Sequence, residues 1–284
     1  MNVLQILDLL AVAGGDRADC ERLFEAPENP AVIAVEAELI RRLGSFSQAP
    51  PEVACTDPMT WLTAFLRRTP AVARWYRAHG IPASVIAATF ADVGRNLAKH
   101  RRAHGEFGLE TWDWLIPHYT GMMFALGRLN FMLHPSPVTI EGVLTAGQWY
   151  VGIHVPESGP LSPAAVNESM VSAAEFFPAY FPDQPVDIAV CESWLLDPAL
   201  VEVMGAGTNV GAFGRRFTEL RAPYDDASAA LFFVFRTREL GDVPSLPRRT
   251  SLQRLVLDRA ERGVAWQIGT GYLRLPPGHG GIAG

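Results

Sequence analysis

Near Gly127 the apolar residues stop recurring every third or fourth position and begin to alternate, so one chain carries the signatures of two architectures. Upstream of it, Asn29-Pro30 offers an N-cap and a first-turn proline ahead of Val32, Val35, Leu39 and Leu43, and Gly44 supplies the stop. Asp57-Pro58 and Thr69-Pro70 repeat that start signal, the first before Trp61 and Phe65, the second before Val72 and Trp75, with Gly80 closing the stretch. A longer helix is expected after Pro82, through Val85, Ile86, Phe90, Val93 and Leu97, and another from Thr111 with a kink at Pro117.

Downstream, Leu129, Phe131 and Leu133 alternate with Arg128, Asn130 and Met132 as a first strand, the alternative being a frayed helix end. Val138 to Ala146 and Gln148 to Val155 read as two more around Gly147, the second with Trp149, Val151, Ile153 and Val155 on one face and Tyr150 and His154 on the other. The loop Pro156 to Leu161 then leads into a helix capped by Ser162 and opened by Pro163. Val186 to Val190 reads as a strand, Asp197-Pro198 as a helix start, Phe213 to Leu220 and Ser228 to Phe235 as strands, Leu252 to Arg259 as a helix and Val264 to Leu275 as the closing strand. The glycine-rich tail after Pro277 is expected to be disordered. The fold class that follows is mixed α/β (α+β): a helical domain over residues 1–124, then a mixed-sheet domain over 125–284.

A chain of 284 residues, 49% of them hydrophobic, can bury a large core. Its net charge of -6, with no basic stripe, withholds the phosphate contacts that nucleic-acid binding needs. No run approaches the roughly 18 apolar residues of a membrane span, and the apolar N-terminus is interrupted by Asp8 without a preceding basic residue, so neither membrane nor export is expected. Cys20, Cys55 and Cys191 are odd in number and far apart, which points to a reducing cytoplasm. His100 and His104 share a helix face but lack an acidic companion in a zinc pattern, and no metal is expected.

The segments IHVPESGPLSPAAVNES, CESWLLDPAL, TNVGAFGRRFTEL and LPRRTSLQRLVLDRAERGVAWQIGTGYL, four blocks in order over the second half, resemble the bacterial acyltransferase family that joins a helical N-terminal domain to a GNAT-like C-terminal domain. The resemblance implies an enzyme that moves an acyl group, acetyl in the first instance, from acyl-CoA to an amine or hydroxyl of a small-molecule acceptor by direct transfer. It also implies a central strand that parts from its neighbour to admit the pantetheine arm, and a pyrophosphate resting on Glu157 to Ser162. The alternatives from the same residues are a non-catalytic acyl-CoA or small-molecule binding protein, and an acyl-CoA thioester hydrolase.

Val155, Glu157, Ser158, Gly159, Leu161 and Ser162 are the coenzyme A candidates, because a glycine loop entering a capped helix presents free amides to an anion. Asn209 and Arg215 join them as phosphate or acceptor contacts. The usual spaced-glycine phosphate signature is absent, and Pro160 donates no amide. Acyl transfer needs a base for the acceptor, an oxyanion donor and a proton for the thiolate. His154 is the first candidate base, the alternative being a buried histidine bonded to a carbonyl. Glu192, where the family pattern has histidine, orients His154, acts as base through water, or only caps a strand; Ser193 is its catalytic companion. Cys191 reads as packing, and no tyrosine between Ser193 and Phe217 offers the thiolate proton.

Overall fold

The computed structural model describes residues 1–226 and 228–277. The expected tail beyond Pro277 lies outside the described residues, as does Ala227. Six helices come first: α1 (Val3–Leu9), α2 (Gly15–Glu25), α3 (Pro30–Arg42), α4 (Pro58–Ala78), α5 (Ala83–His104) and α6 (Trp112–Tyr119). The caps read from the sequence form. The Asn29 side chain accepts from the Ala31 amide at 2.9 Å, and the Asp57 carboxylate accepts from the Thr60 amide at 2.8 Å.

Thr69-Pro70 does not start a helix, contrary to the sequence expectation, because α4 runs through it. Proline removes one hydrogen bond of the helical ladder. Burial of Trp61, Phe65, Val72 and Tyr76 on one continuous face outweighs that loss, and the Thr69 hydroxyl, bonded to the Phe65 carbonyl at 2.8 Å, ties the turn together.

The sheet begins with β1 (Met123–Leu126) and β2 (Leu129–Pro135), followed by β3 (Trp149–His154), α7 (Pro163–Tyr180), β4 (Ile188–Ser193), α8 (Pro198–Met204), α9 (Asn209–Gly214), β5 (Thr218–Asp225), α10 (Ala229–Phe235), α11 (Ser251–Glu261) and β6 (Gln267–Arg274). The strand order is β1-β2-β3-β4-β6-β5, antiparallel everywhere except between β3 and β4.

Three expected strands are corrected. Ser228 to Phe235 is helix α10: the Asp226 carboxylate accepts from the amides of Ser228 and Ala229, each at 3.0 Å, and that cap starts a turn where an apolar run alone fits strand or helix. Phe213 to Leu220 divides into the end of α9, capped by Thr208 on the Gly211 amide, and the start of β5. Val138 to Ala146 keeps one bridge, Ile140 to Leu144, around Gly142 at φ +73°, a tight turn that leaves no length for a ladder.

Both halves share one core. Tyr76 on α4 donates from its hydroxyl to the carbonyls of His118 and Met123, and Thr89 on α5 accepts from the Ala125 amide of β1. A single apolar cluster runs from Ile6 to Ile268 through Phe65, Phe90, Phe124 and Phe177.

Candidate active site

The strand register sets out the site. His134 faces Tyr150, Met132 faces Gly152 and Asn130 faces His154 across β2 and β3. Gly152 faces Val190 across β3 and β4, and Glu192 faces Thr270 across β4 and β6. Since alternate residues share a face, His134, Tyr150, His154, Glu192 and Thr270 stand on one side of the sheet, with Val151, Ile153 and Cys191 buried on the other.

Among the described residues the only parallel ladder is short. Pairing between β3 and β4 is confined to Val151 with Ala189 and Gly152 with Val190, although β3 continues to His154 and β4 to Ser193. Beyond Gly152 the two strands part, and His154 and Glu192 flank the opening from opposite sides.

His154 is partly exposed as a residue, yet its Nε2 is buried and bonded to nothing in the protein. Burial, then the neighbouring His134 and His118, push its pKa down to about 3, against a weaker upward pull from Asp92. The ordinary imidazole value of ~6.5 expected for His154 does not hold, and the ring is neutral throughout the physiological range. Trp114 of α6 stands edge-on to the ring, centroids 4.7 Å apart. The Trp114 indole in turn donates at 2.9 Å to Asp92, which also accepts from His118 at 3.1 Å, Arg95 at 3.0 Å and Asn130 at 3.5 Å. Burial opposes ionisation of Asp92, but His118, Arg95 and Trp114 more than offset it and hold the carboxyl well below the carboxylate range. The helical half thus supplies a wall of the candidate site, through Trp114, one of the N-terminal aromatics that could line a cleft between the halves.

Glu192 is exposed and held. It accepts from Arg221 at 2.8 Å, Tyr224 at 3.1 Å and Thr270 at 3.3 Å. Ser193 takes the Cys191 side of β4, where its hydroxyl accepts from the Leu195 amide at 3.1 Å and caps the following turn. Cys191 is buried and its thiol is pushed up to about 12 by burial and by Glu192, which leaves it unfit as a nucleophile.

The loop after β3 is built around a residue the sequence reading passed over. The Arg128 guanidinium donates to the carbonyls of Pro156 at 2.9 Å, Gly159 at 3.1 Å and Pro160 at 3.0 Å. Those carbonyls are drawn toward Arg128, and among the described residues none accepts from the amides of Gly159, Leu161 or Ser162. Gly159 sits at φ +73° with open space where a side chain would be. The Ser162 hydroxyl caps α7 on the Ala165 amide at 3.3 Å, and Leu161 is buried beneath the loop. Val155 packs against the core, while Glu157 pairs with Arg236 and, at 3.6 Å, with Lys99. Arg215 turns away to the Val201 carbonyl, and Asn209 opens α9. It is Arg216 that reaches the start of α7, bonding Asn167 at 2.7 Å and the Pro163 carbonyl at 3.3 Å. A cavity of about 300 Å³ lies between α8, α9 and the Gly269–Gly271 stretch of β6; it includes Arg215 but not His154 or Glu192.

Family models for an N-acyltransferase N-terminal domain and a GNAT-like C-terminal domain match residues 1–121 and 123–273 respectively. The chain belongs to the GNAT-like acyltransferases. This acyltransferase is similar in structure to an acyltransferase in complex with CoA and 10C-teicoplanin, with 30% identity, 96% of this chain and 88% of that one covered, and a TM-score of 0.82. An acyltransferase mutant in complex with octanoyl-CoA gives the same figures. An acyltransferase in complex with decanoyl-CoA is 28% identical over the same shares, with a TM-score of 0.83. No curated protein sequence matches. The enzyme is therefore an acyl-CoA-dependent acyltransferase of the GNAT type. No described helix is long and apolar enough to cross a membrane.

Proposed function

We propose that this cytoplasmic enzyme transfers a medium-length acyl chain from acyl-CoA directly to a hydroxyl or amine of a small-molecule acceptor, with His154 as the general base. The observation that carries the reading is the parting of β3 and β4 beyond Gly152, with His154 and Glu192 on one face at its two sides. Such a gap gives a thioester arm a route through the sheet, and the free amides of the Gly159–Ser162 stretch suit its pyrophosphate. Val155, Glu157 and Ser158 complete that loop, and Arg216 bonds the Pro163 carbonyl that follows it, whereas Arg215 bonds the Val201 carbonyl and Asn209 opens α9. Glu192, tied by Arg221, Tyr224 and Thr270, orders the acceptor side rather than taking the proton.

The chain-length preference rests on relatives that bind octanoyl- and decanoyl-CoA; acetyl, the first expectation from sequence, becomes the short-chain control. In this reading residues 1–124 form the acceptor wall and 125–284 the donor site. Incubation with acetyl-, octanoyl- or decanoyl-CoA, with and without acceptors that include a glycopeptide and simple amines, tests it by free-thiol release. Acceptor-dependent release with the longer donors is expected. Release without an acceptor means a thioester hydrolase, and saturable donor binding without release means a binding protein.

A further inference from the structure

Lys99 and Arg236 reach one carboxylate oxygen from the two halves of the molecule. Lys99 lies on α5, and Arg236 directly follows α10, with its backbone in the left-handed region at φ +63°. The Lys99 ammonium stands 3.6 Å from Glu157 Oε2, and the Arg236 guanidinium donates to that same atom. Among the described residues neither cation pairs with any other carboxylate. The side chains of Lys99 and Arg236 are 13% and 16% exposed, that of Glu157 51%. Two largely buried positive charges therefore share one negative charge that is itself half in water, and the pair is left undercompensated. Burial lowers the Lys99 pKa, Glu157 opposes that pull, and Arg236 adds to it.

The surroundings say how an anion would meet this pair. Lys99 and Arg236 line a cleft of about 10 Å³ with Asn96, His100, Glu110 and Thr111, which is room for one water-sized group. Glu110, the acidic residue there, is paired with His104 at 3.9 Å. That cleft is too small for a phosphate, whereas the Glu157 side is half open to solvent, so an incoming anion reaches the two cations by replacing the carboxylate. Glu157 also begins the loop whose Gly159, Leu161 and Ser162 amides meet no backbone acceptor among the described residues. Two residues of chain, about 7 Å at most, separate it from Gly159. A phosphate brings up to two negative charges and three acceptor oxygens to a place where Glu157 offers one charge through one oxygen.

We propose that Lys99 and Arg236 form a phosphate-binding pair for coenzyme A, and that Glu157 is not a ligand contact but an internal counter-ion, displaced when the phosphate arrives. The inference rests on the acyl-transfer reading above and deepens it. It joins the two halves at the donor as well: the helical half supplies one cation through α5 and the sheet half the other. Lys99 lies seven residues beyond Asp92, about 10 Å along the helix, so the exchange takes place away from Asp92 and the Trp114 wall it holds.

Calorimetric titration of the full chain with coenzyme A, 3′-dephospho-coenzyme A and octanoyl-pantetheine, which carries no phosphate, tests the exchange. Glu157→Gln keeps the size of the side chain and removes the competing charge, and it should tighten coenzyme A binding by about 5-fold. Lys99→Met and Arg236→Gln should each weaken it by about 10-fold, while octanoyl-pantetheine affinity moves less than about 2-fold in all three variants. An ion pair that merely fastens the loop requires the opposite sign in Glu157→Gln. A loss in the two cation variants that persists with 3′-dephospho-coenzyme A supports the pair with the diphosphate as its occupant. A loss confined to coenzyme A supports it with the 3′-phosphate.

Coenzyme A affinity in Glu157→Gln at or below the wild-type value overturns the exchange and leaves the acyltransferase reading intact. So do cation variants that keep wild-type affinity, or that lose octanoyl-pantetheine in step with coenzyme A. Wild-type protein that binds none of the three compounds removes that reading, and the pair with it.

Discussion

His154 shows how far a residue's surroundings can move it from the chemistry its name suggests. Its pKa of about 3 comes from burial first and from the His134 and His118 imidazoles second. A ring with so low a pKa stays unprotonated across the whole working range, at the cost of basicity, so activity should not collapse on passing from pH 8 to pH 6 through loss of the free base. Replacement by Gln should leave the fold and octanoyl-CoA affinity in place and reduce turnover by roughly 10² to 10⁴, measured under single-turnover conditions. The same burial has a cost in acid. Unfolded histidine binds a proton near ~6.5, while the folded values for His154 and His134 are about 3 and about 4. Between those limits the unfolded chain holds more protons, so stability falls as pH falls from about 6.5. The slope approaches about 1.4 kcal/mol per pH unit for each ring. Urea unfolding at pH 7, 6 and 5 should show a smaller loss in His154→Gln than in wild type.

Among the elements, those with a local mechanism were readable in advance. Asn29, Asp57 and Ser162 cap helices as their residue types require, and alternation alone put His154 opposite Val151 and Ile153. Ser228 to Phe235 was misread because a short apolar run has no period of its own, and the deciding cap, Asp226, lies just outside it. The site was legible to the same extent. Strand parity turns His154 away from Val151 and Ile153, but the register that sets Glu192 on the same face, and the approach of His134, Arg128 and Asp92 from other strands and helices, follow from no spacing along the chain. Arg128 is the instructive omission, since an arginine after a turn glycine carries no signature. One planar guanidinium spans three loop carbonyls, a geometry that a lysine ammonium cannot reproduce. Arg128→Lys should therefore weaken coenzyme A binding by about 10-fold, near 1.4 kcal/mol. Calorimetric titration of the apoprotein checks this, and unchanged affinity would show that the loop holds its shape without the clamp.

At the scale of the whole molecule, the division into a helical half and a sheet half describes the sequence better than the folding unit. Asp92 joins Trp114 and His118 of α6 to Asn130 of β2, and Thr89 of α5 and Tyr76 of α4 bond the backbone of β1. Asp92→Ala removes the acceptor for four donors, three of them on other elements, and should cost about 3–5 kcal/mol, in the range for breaking a buried pair. Because one apolar cluster spans both halves, the loss should lower a single unfolding transition rather than split it. Circular dichroism and tryptophan fluorescence followed against denaturant would reveal two separate midpoints if the halves were independent. The parting of β3 from β4 has a counterpart in this cohesion. Residues 153–154 and 191–193 keep their outer partners, Asn130 and Phe131 on one side and the Gly269–Gly271 segment on the other, while their inner edges face each other without rungs. An amide-bearing ligand arm laid between two such edges takes the position of a missing strand. On that view the free protein is an unfinished sheet, and its substrate is, for the length of a turnover, a piece of its secondary structure.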